Sequence, residues 1–89
     1  MFTRDLIGKS VVTLDGLNVG SVEEIEITQD WRAESLVLRL SRDAAKEIGI
    51  RFSFKPRGVV STSLVKGVGD YITLNTDKTN LREALKPLT

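Results

Sequence analysis

The sequence of 89 residues contains no cysteine and no histidine. Disulfide bonds are therefore impossible within the chain, and zinc sites built from thiolates or imidazoles, Cys nucleophiles and Ser-His-Asp triads are all excluded. Aromatic residues are also few, with one tryptophan and one tyrosine. We expect a protein that is not an enzyme and that needs no cofactor or metal.

The sequence also lacks an excess of either charge and any long apolar run. It has 13 basic and 12 acidic residues, which gives a net charge of +1. This balance provides no overall field that would attract nucleic acid or anionic lipid. No apolar run approaches the ~20 residues of a membrane span, and the opening MFTRDLIGKS has no long apolar segment of the signal-peptide kind. We therefore expect a cytoplasmic protein with no direct membrane insertion.

The first strong pattern is a hairpin. Residues 10–14 are rich in β-branched side chains, and the Asp-Gly pair at 15–16 favours a tight turn. In the returning strand, Val22 has the opposite parity to Ile25, although both are apolar. A β-bulge at residues 23–24 would restore the alternation by inserting one residue and bending the strand. The pattern predicts a strongly curved sheet.

The remaining chain alternates short strands with turn signals. Residues 36–40 alternate as a half-buried strand, and Ser41 is a candidate N-cap for a short helix RDAAKEI that ends at Gly49. Further strands are expected at residues 50–55 and 70–74. We predict a mainly β fold: a small, highly curved β-barrel over residues 1–75, with one short helix between strands. Residues 76–89 are expected to form a C-terminal tail with a short helix.

Two blocks of sequence resemble a known family. DLIGK at 5–9, DG at 15–16 and VGSVEEI at 19–25 closely resemble the opening of PRC-barrel domains, and VKGVGDYITL at 65–74 is similar to their closing strand. The blocks bracket residues 5–74 and are fairly specific together. The chain departs from the usual pattern in two places, since Val60-Ser61 replaces an Ile-Pro pair and a helix lies in mid-domain.

The resemblance implies a function by association. The family is named after a photosynthetic reaction centre subunit, and it also supplies a domain of a ribosome-maturation factor. Its small stand-alone archaeal members are implicated in FtsZ-based cell division, where they bind the FtsZ anchor SepF and one another. The resemblance therefore predicts a protein–protein adaptor that is cytoplasmic, recruited to the division site by a SepF-like partner or a sister PRC-barrel protein. An RNA- or ribosome-associated maturation module is the alternative.

Two charged groups are candidate sites. Glu23, Glu24 and Glu26 offer oxygens to a cation, but successive strand residues face opposite sides, so a solvated strand face explains them better. A basic stripe is expected from side chains on the outward parity of two strands or just beyond them, namely Arg39, Arg51, Lys55 and Arg57. An RNA platform would need aromatic side chains on the same face, which this stripe lacks, so ordinary surface charge is the better interpretation.

The candidate partner-binding residues are apolar side chains left over after one core is filled. Val11 and Val37 have the outward parity in their strands, and Trp31 lies in a polar loop. Leu81, Leu85 and Leu88 form a helical stripe in the tail. Exposed apolar side chains and Trp anchors are typical of partner surfaces, although Trp31 and the tail leucines could instead pack on their own domain. A free sheet edge would also permit self-association as a homodimer or a chain.

Overall fold

The computed structural model describes residues 1–50 and 55–88. The strand expected around Phe52 and Phe54, together with Arg51 of the expected basic stripe, lies outside these described residues. The described part measures 34 × 27 × 20 Å along its principal axes.

Within residues 1–50 and 55–88, seven strands form one mixed sheet, and they are accompanied by two short α-helices and two 3-10 helices. The strands in chain order are β1 (Ser10–Val12), β2 (Asn18–Ile27), β3 (Ala33–Leu40), β4 (Arg57–Ser61), β5 (Val65–Val68), β6 (Ile72–Leu74) and β7 (Leu85–Leu88). The helices are α1 (Arg42–Glu47) and α2 (Leu81–Ala84), and the 3-10 helices are Thr3–Asp5 and Thr62–Leu64.

The spatial order of the strands is β5-β6-β1-β2-β3-β4-β7. All neighbours are antiparallel except β1 and β6, which run parallel with Val11 opposite Ile72. The mainly β, compact fold is confirmed. Within the described ranges the sheet stays open, with β5 and β7 as its two edges.

The bulge expected at residues 23–24 is confirmed. Val22 pairs with Leu38, but the next paired residue, Glu24, is opposite Val37, so one residue is inserted in β2. The insertion lets Val22 and Ile25 face the same apolar core despite their opposite parity. The core is otherwise formed by inward side chains of β1 to β4, β6 and β7, together with residues of α1 and α2.

Helix α1 forms where the sequence predicts it. The Ser41 hydroxyl accepts a hydrogen bond from the backbone N–H of Ala44 at 3.1 Å, which is the expected N-cap contact. The same hydroxyl donates to the carbonyl oxygen of Asn18 at 2.6 Å. Gly49 ends the helix at a φ of +83°. One side of this two-turn helix, including Ala44 and Ile48, is buried against the sheet.

The prediction that Val11 faces outward is wrong. Val11 is completely buried in the core. The inward row of β1 continues with Thr13, which is also buried, while Leu14 is exposed. Thr13 tolerates burial because its hydroxyl donates to Asp15 Oδ1 at 2.5 Å and accepts from the N–H of Leu17 at 3.0 Å. A buried threonine, flanked by apolar residues on the opposite parity, reversed the apparent orientation of the strand.

The tail also differs from the expected helical stripe. α2 has one turn, and the chain then becomes β7, an edge strand that pairs with β4. Leu81 and Leu85 are completely buried, so their expected role as exposed partner contacts is wrong. Pro87 supplies no backbone donor to prolong a helix, whereas Leu85 packs inward opposite Val60. The residues after position 75 therefore complete the sheet.

Candidate functional site

Two of the sequence-predicted contact residues meet on the outer face of the sheet. Val37 of β3 is directly opposite Val59 of β4, and Leu88 of β7 is opposite the next outward residue of β4, Arg57. Val37, Val59 and Leu88, which we call the outer patch, line one shallow cavity of about 310 Å³ together with Glu24 and residues 25–26. Leu88 remains 41% exposed. The pleat of three neighbouring strands thus brings these apolar side chains together.

Carboxylates surround the outer patch. Glu24 and Glu26 line its cavity, and Glu26 accepts a hydrogen bond from the Ser35 hydroxyl at 2.5 Å. A second cavity of about 330 Å³ shares Glu26 and Val59 with the first and extends to Glu34 and Lys86. The two cavities form one groove along the outer face, with more acidic than basic side chains on its walls. No group of three potential metal ligands is present among residues 1–50 and 55–88.

The basic side chains near the outer patch are held by acidic ones. Arg57 Nη2 lies 2.5 Å from Glu23 Oε1 and 3.2 Å from Glu24 Oε2, and Arg39 Nε lies 3.6 Å from Glu23 Oε2. Arg57 Nε is buried and has no hydrogen-bond partner in the described part of the chain. Such half-exposed ion pairs contribute little to stability, about 1 kcal/mol or less each. They do neutralise Arg39 and Arg57, two of the four members of the expected basic stripe.

Trp31 lies apart from the outer patch, at the tip of the β2–β3 hairpin. Its side chain is 87% exposed, and its φ of +65° is the only positive φ of a non-glycine residue in the described ranges. The backbone N–H of Trp31 donates to the Thr28 carbonyl at 3.0 Å, and that of Arg32 donates to the Thr28 hydroxyl at 3.1 Å. A left-handed conformation costs about 1–2 kcal/mol for a residue with a Cβ. This turn therefore presents the indole in a fixed and unfavourable position.

An apolar cavity of about 240 Å³, which we call the end cavity, lies at the same end of the molecule as the hairpin tip. Its lining is almost wholly apolar and comes from the N-terminal segment, β2, β3, β5, β6 and the 3-10 helix before β5: Met1, Leu6, Ile25, Ala33, Leu36, Thr62, Val65, Val68 and Ile72. Sequence patterns missed it because these residues are scattered over the chain and each reads singly as ordinary core.

The structure thus sorts the six predicted contact residues into three groups. Val37 and Leu88 share the outer patch, Trp31 is exposed near the end cavity, and Val11, Leu81 and Leu85 are core residues. No helix in the described ranges is long and apolar enough to cross a membrane.

The bulged first hairpin, the parallel return of β6 onto β1 and the short helix between β3 and β4 define a small single-sheet β domain. The PRC-barrel domain family matches residues 1–81, and the chain belongs to that family. The resemblance inferred from residues 5–74 is thereby confirmed at the level of the family. Such domains are small β modules that often mediate interactions and are generally non-catalytic. Comparison with curated proteins finds no match.

Proposed function

We propose that this chain is a non-enzymatic protein–protein interaction module that binds its partner through the outer patch. The observation that supports this proposal is the meeting of Val37, Val59 and Leu88 on the solvent side of a sheet, surrounded by carboxylates. An apolar centre with a polar rim is the usual anatomy of a protein interface. In a domain this small, which has little apolar material to spare from its core, three outward apolar side chains that line one cavity need a reason.

The rim of the outer patch favours a partner with basic side chains. Glu26 and Glu34 line the combined groove beside Glu24, which is already paired with Arg57, and Lys86 is the single basic side chain among the described lining residues. An amphipathic segment of the partner would fit this surface if its apolar side chains packed on Val37 and Leu88. Lys or Arg residues beside those apolar side chains would then contact the acidic rim. Charge on the rim chiefly affects the association rate and its salt dependence, whereas the apolar centre supplies the affinity.

At a finer level, we propose that the module is an adaptor of archaeal FtsZ-based cell division, which binds a SepF-like protein or a sister PRC-barrel protein and is recruited by it to the division site from the cytoplasm. The support comes from the similarity of DLIGK, VGSVEEI and VKGVGDYITL to the family's motifs and from membership of the family. The short helix in mid-domain, a departure from the usual family pattern that resembles the division group, is α1.

Titration of the purified protein with a SepF protein, followed by calorimetry, tests the proposal. Val37→Asp places a charge at the centre of the outer patch and should weaken binding about 10-fold or more while the fold is retained. Leu14→Asp is the matched control, because Leu14 is exposed but lies on the first hairpin turn, away from the patch. Equal binding by both variants, or no binding by the wild type, would contradict the proposal.

The same titration with structured RNA at two salt concentrations tests the ribosome-associated alternative. Because Arg39 and Arg57 are already paired with Glu23, we expect no affinity that falls steeply with salt. Micromolar, salt-steep RNA binding without any SepF binding would replace the adaptor proposal with the alternative.

A further inference from the structure

We propose that two copies of this chain form a two-fold symmetric dimer in which Trp31 of each copy inserts into the end cavity of the other. The outer patch takes no part in this contact, so the proposal is independent of the partner proposed above.

Trp31 is the first half of the contact. A residue held at a φ of +65° with its large aromatic side chain 87% exposed combines two unfavourable features in one position. Backbone strain of this kind persists where the surroundings enforce it, and it is concentrated at binding sites. Here Thr28 enforces it through the hydrogen bonds to the backbone N–H groups of Trp31 and Arg32. A rigid aromatic anchor loses little conformational freedom when it binds.

The end cavity is the second half. An apolar cavity of ~150 Å³ can hold a benzene ring, so the 240 Å³ available here leaves room for an indole. Leu36 and Ile72 are buried in its wall, and Val68 lies 44% exposed at its rim. Ile27, also 45% exposed, is paired with the lining residue Ala33. An incoming indole ring would cover these groups, and its N–H would need an acceptor, for which the lining offers the Thr62 hydroxyl oxygen.

The position of the two halves favours a reciprocal exchange. Ala33 lines the end cavity and lies two residues after Trp31, which limits their separation to about 7 Å along the chain. Anchor and receptor are therefore neighbours at one end of the molecule. A two-fold axis through that end places each Trp31 over the partner's cavity, which gives an interface with the same surface on both copies. Because both sites are filled at once, the assembly closes at two copies.

The sheet edges offer a poorer route to self-association. β5 has a register irregularity between Val65 and Gly67, with the charged Lys66 at that point. The other edge, β7, contains Lys86 and Pro87. Bulges, lysines and prolines on edge strands are the devices by which proteins discourage pairing with another sheet. Pairing of edges, which the sequence had suggested, is thus disfavoured at both ends of the sheet.

The area available predicts a weak dimer. A tryptophan buries roughly 150–250 Å². Two reciprocal insertions with an equal area of cavity lining give about 600–1,000 Å² in total, below the ~1,200 Å² at which stable complexes begin. The expected dissociation constant is micromolar or weaker, so that the protein changes from monomer to dimer within the range of concentrations that sedimentation can cover.

Trp31 is also the only tryptophan, which makes it a built-in probe. With rising protein concentration, we expect the sedimentation coefficient to rise to that of a dimer while tryptophan emission shifts to shorter wavelength and acrylamide quenching falls. Trp31→Ala removes the anchor, and Val68→Glu places a charge at the rim of the receptor; each should weaken dimerisation about 100-fold or more, because both contacts are lost. Leu14→Asp on the first hairpin turn is the control and should dimerise as the wild type does.

A mixing experiment distinguishes this reciprocal insertion from non-specific hydrophobic association. Trp31→Ala keeps an intact end cavity, and Val68→Glu keeps an intact anchor, so an equimolar mixture can form one of the two contacts. The mixture should dimerise more weakly than the wild type but more strongly than either variant alone, and the tryptophan of the Val68→Glu copy should shift to shorter wavelength.

Three results would overturn the proposal. These are a monomer at every concentration, an unchanged dimer in Trp31→Ala, and assembly that continues beyond two copies. Circular dichroism of both variants verifies that they are folded. If Val68→Glu fails to fold, Ala33→Phe, which fills the cavity from an exposed position, replaces it in the mixture.

Discussion

A Cβ atom on Gly20 would lie 1.9 Å from the carbonyl oxygen of Arg39. Gly20 of β2 is paired with Leu40 of β3 on one side and with Val11 of β1 on the other. Its φ of +150° is also open to glycine and rarely to other residues. The absence of a side chain here allows three strands to approach one another just before the bulge that bends β2.

Gly20→Ala should therefore destabilise the fold by about 3 kcal/mol or more, because both the backbone conformation and the contact with Arg39 must change. Chemical denaturation measures the loss. Gly69→Ala is the control, since a Cβ there meets nothing within 4 Å, and it should stay within about 0.5 kcal/mol of the wild type. Similar losses in both variants would show that the close approach to Arg39 is unimportant.

The tail should behave as part of the domain. Leu85 is fully buried opposite Val60, and its Cδ1 lies 3.0 Å from where a Cβ on Gly58 would be placed. Leu85→Ala should cost about 2–4 kcal/mol through lost burial and a residual cavity. Leu88→Ala, three residues later on the exposed face, should cost less than about 1 kcal/mol. Thermal unfolding compares them, and equal midpoints would mean that β7 is not packed as described.

Acid stability should depend on Asp15. The Thr13 hydroxyl donates to its carboxylate, and the backbone N–H of Lys78 donates as well, so the pKa of Asp15 lies below its usual value. A lowered pKa in the folded state stabilises the protein above the ordinary carboxyl pKa, and the contribution disappears as the pH falls through the lowered value.

Asp15→Asn should consequently be less stable than the wild type at neutral pH, and the difference should narrow progressively below a pH of about 4. Denaturation midpoints measured across pH for both proteins give the result. Asp70→Asn is a suitable control, because Asp70 is exposed and makes no hydrogen bond within the described ranges. A difference between wild type and Asp15→Asn that is constant with pH would contradict the assignment.

Nucleic-acid binding should appear when the arginines are released. Glu23→Gln removes the carboxylate that contacts both Arg39 and Arg57. The variant should bind RNA more tightly than the wild type, with an affinity that decreases with salt, because Arg39 loses its carboxylate partner and Arg57 keeps only its contact with Glu24. Fluorescence anisotropy of a labelled RNA at two salt concentrations tests this. A wild type that binds as well as the variant would show that the ion pairs do not suppress binding.

Local patterns predicted the parts of the fold that local chemistry determines. The parity conflict between Val22 and Ile25 has one economical solution, a bulge, and the Ser41 cap with the Gly49 stop defines α1 at both ends. The motifs at residues 5–25 and 65–74 are specific enough together to indicate the PRC-barrel family from the sequence.

The sequence-based predictions were wrong where contacts between residues of different elements determine the structure. Thr13 looks like an outward residue until its partners Asp15 and Leu17 are known, and that misreading placed Val11 on the surface. The spacing of Leu81 and Leu85 is compatible both with a helical stripe and with a helical turn followed by a strand. Only the pairing of β7 with β4 selects the strand. Val37 was correctly placed facing outward, but its neighbour Val59 was not singled out, because pairing between β3 and β4 cannot be read from either strand alone.

The parallel pairing of β1 with β6 has a consequence for the order of folding. The first hairpin can form early because its turn is short, but Val11 meets Ile72 only after more than half of the chain has been brought into place. Closing so long a loop is entropically costly and slows folding compared with sheets of simple hairpins. During synthesis, β1 must therefore wait with one side unpaired until β6 leaves the ribosome.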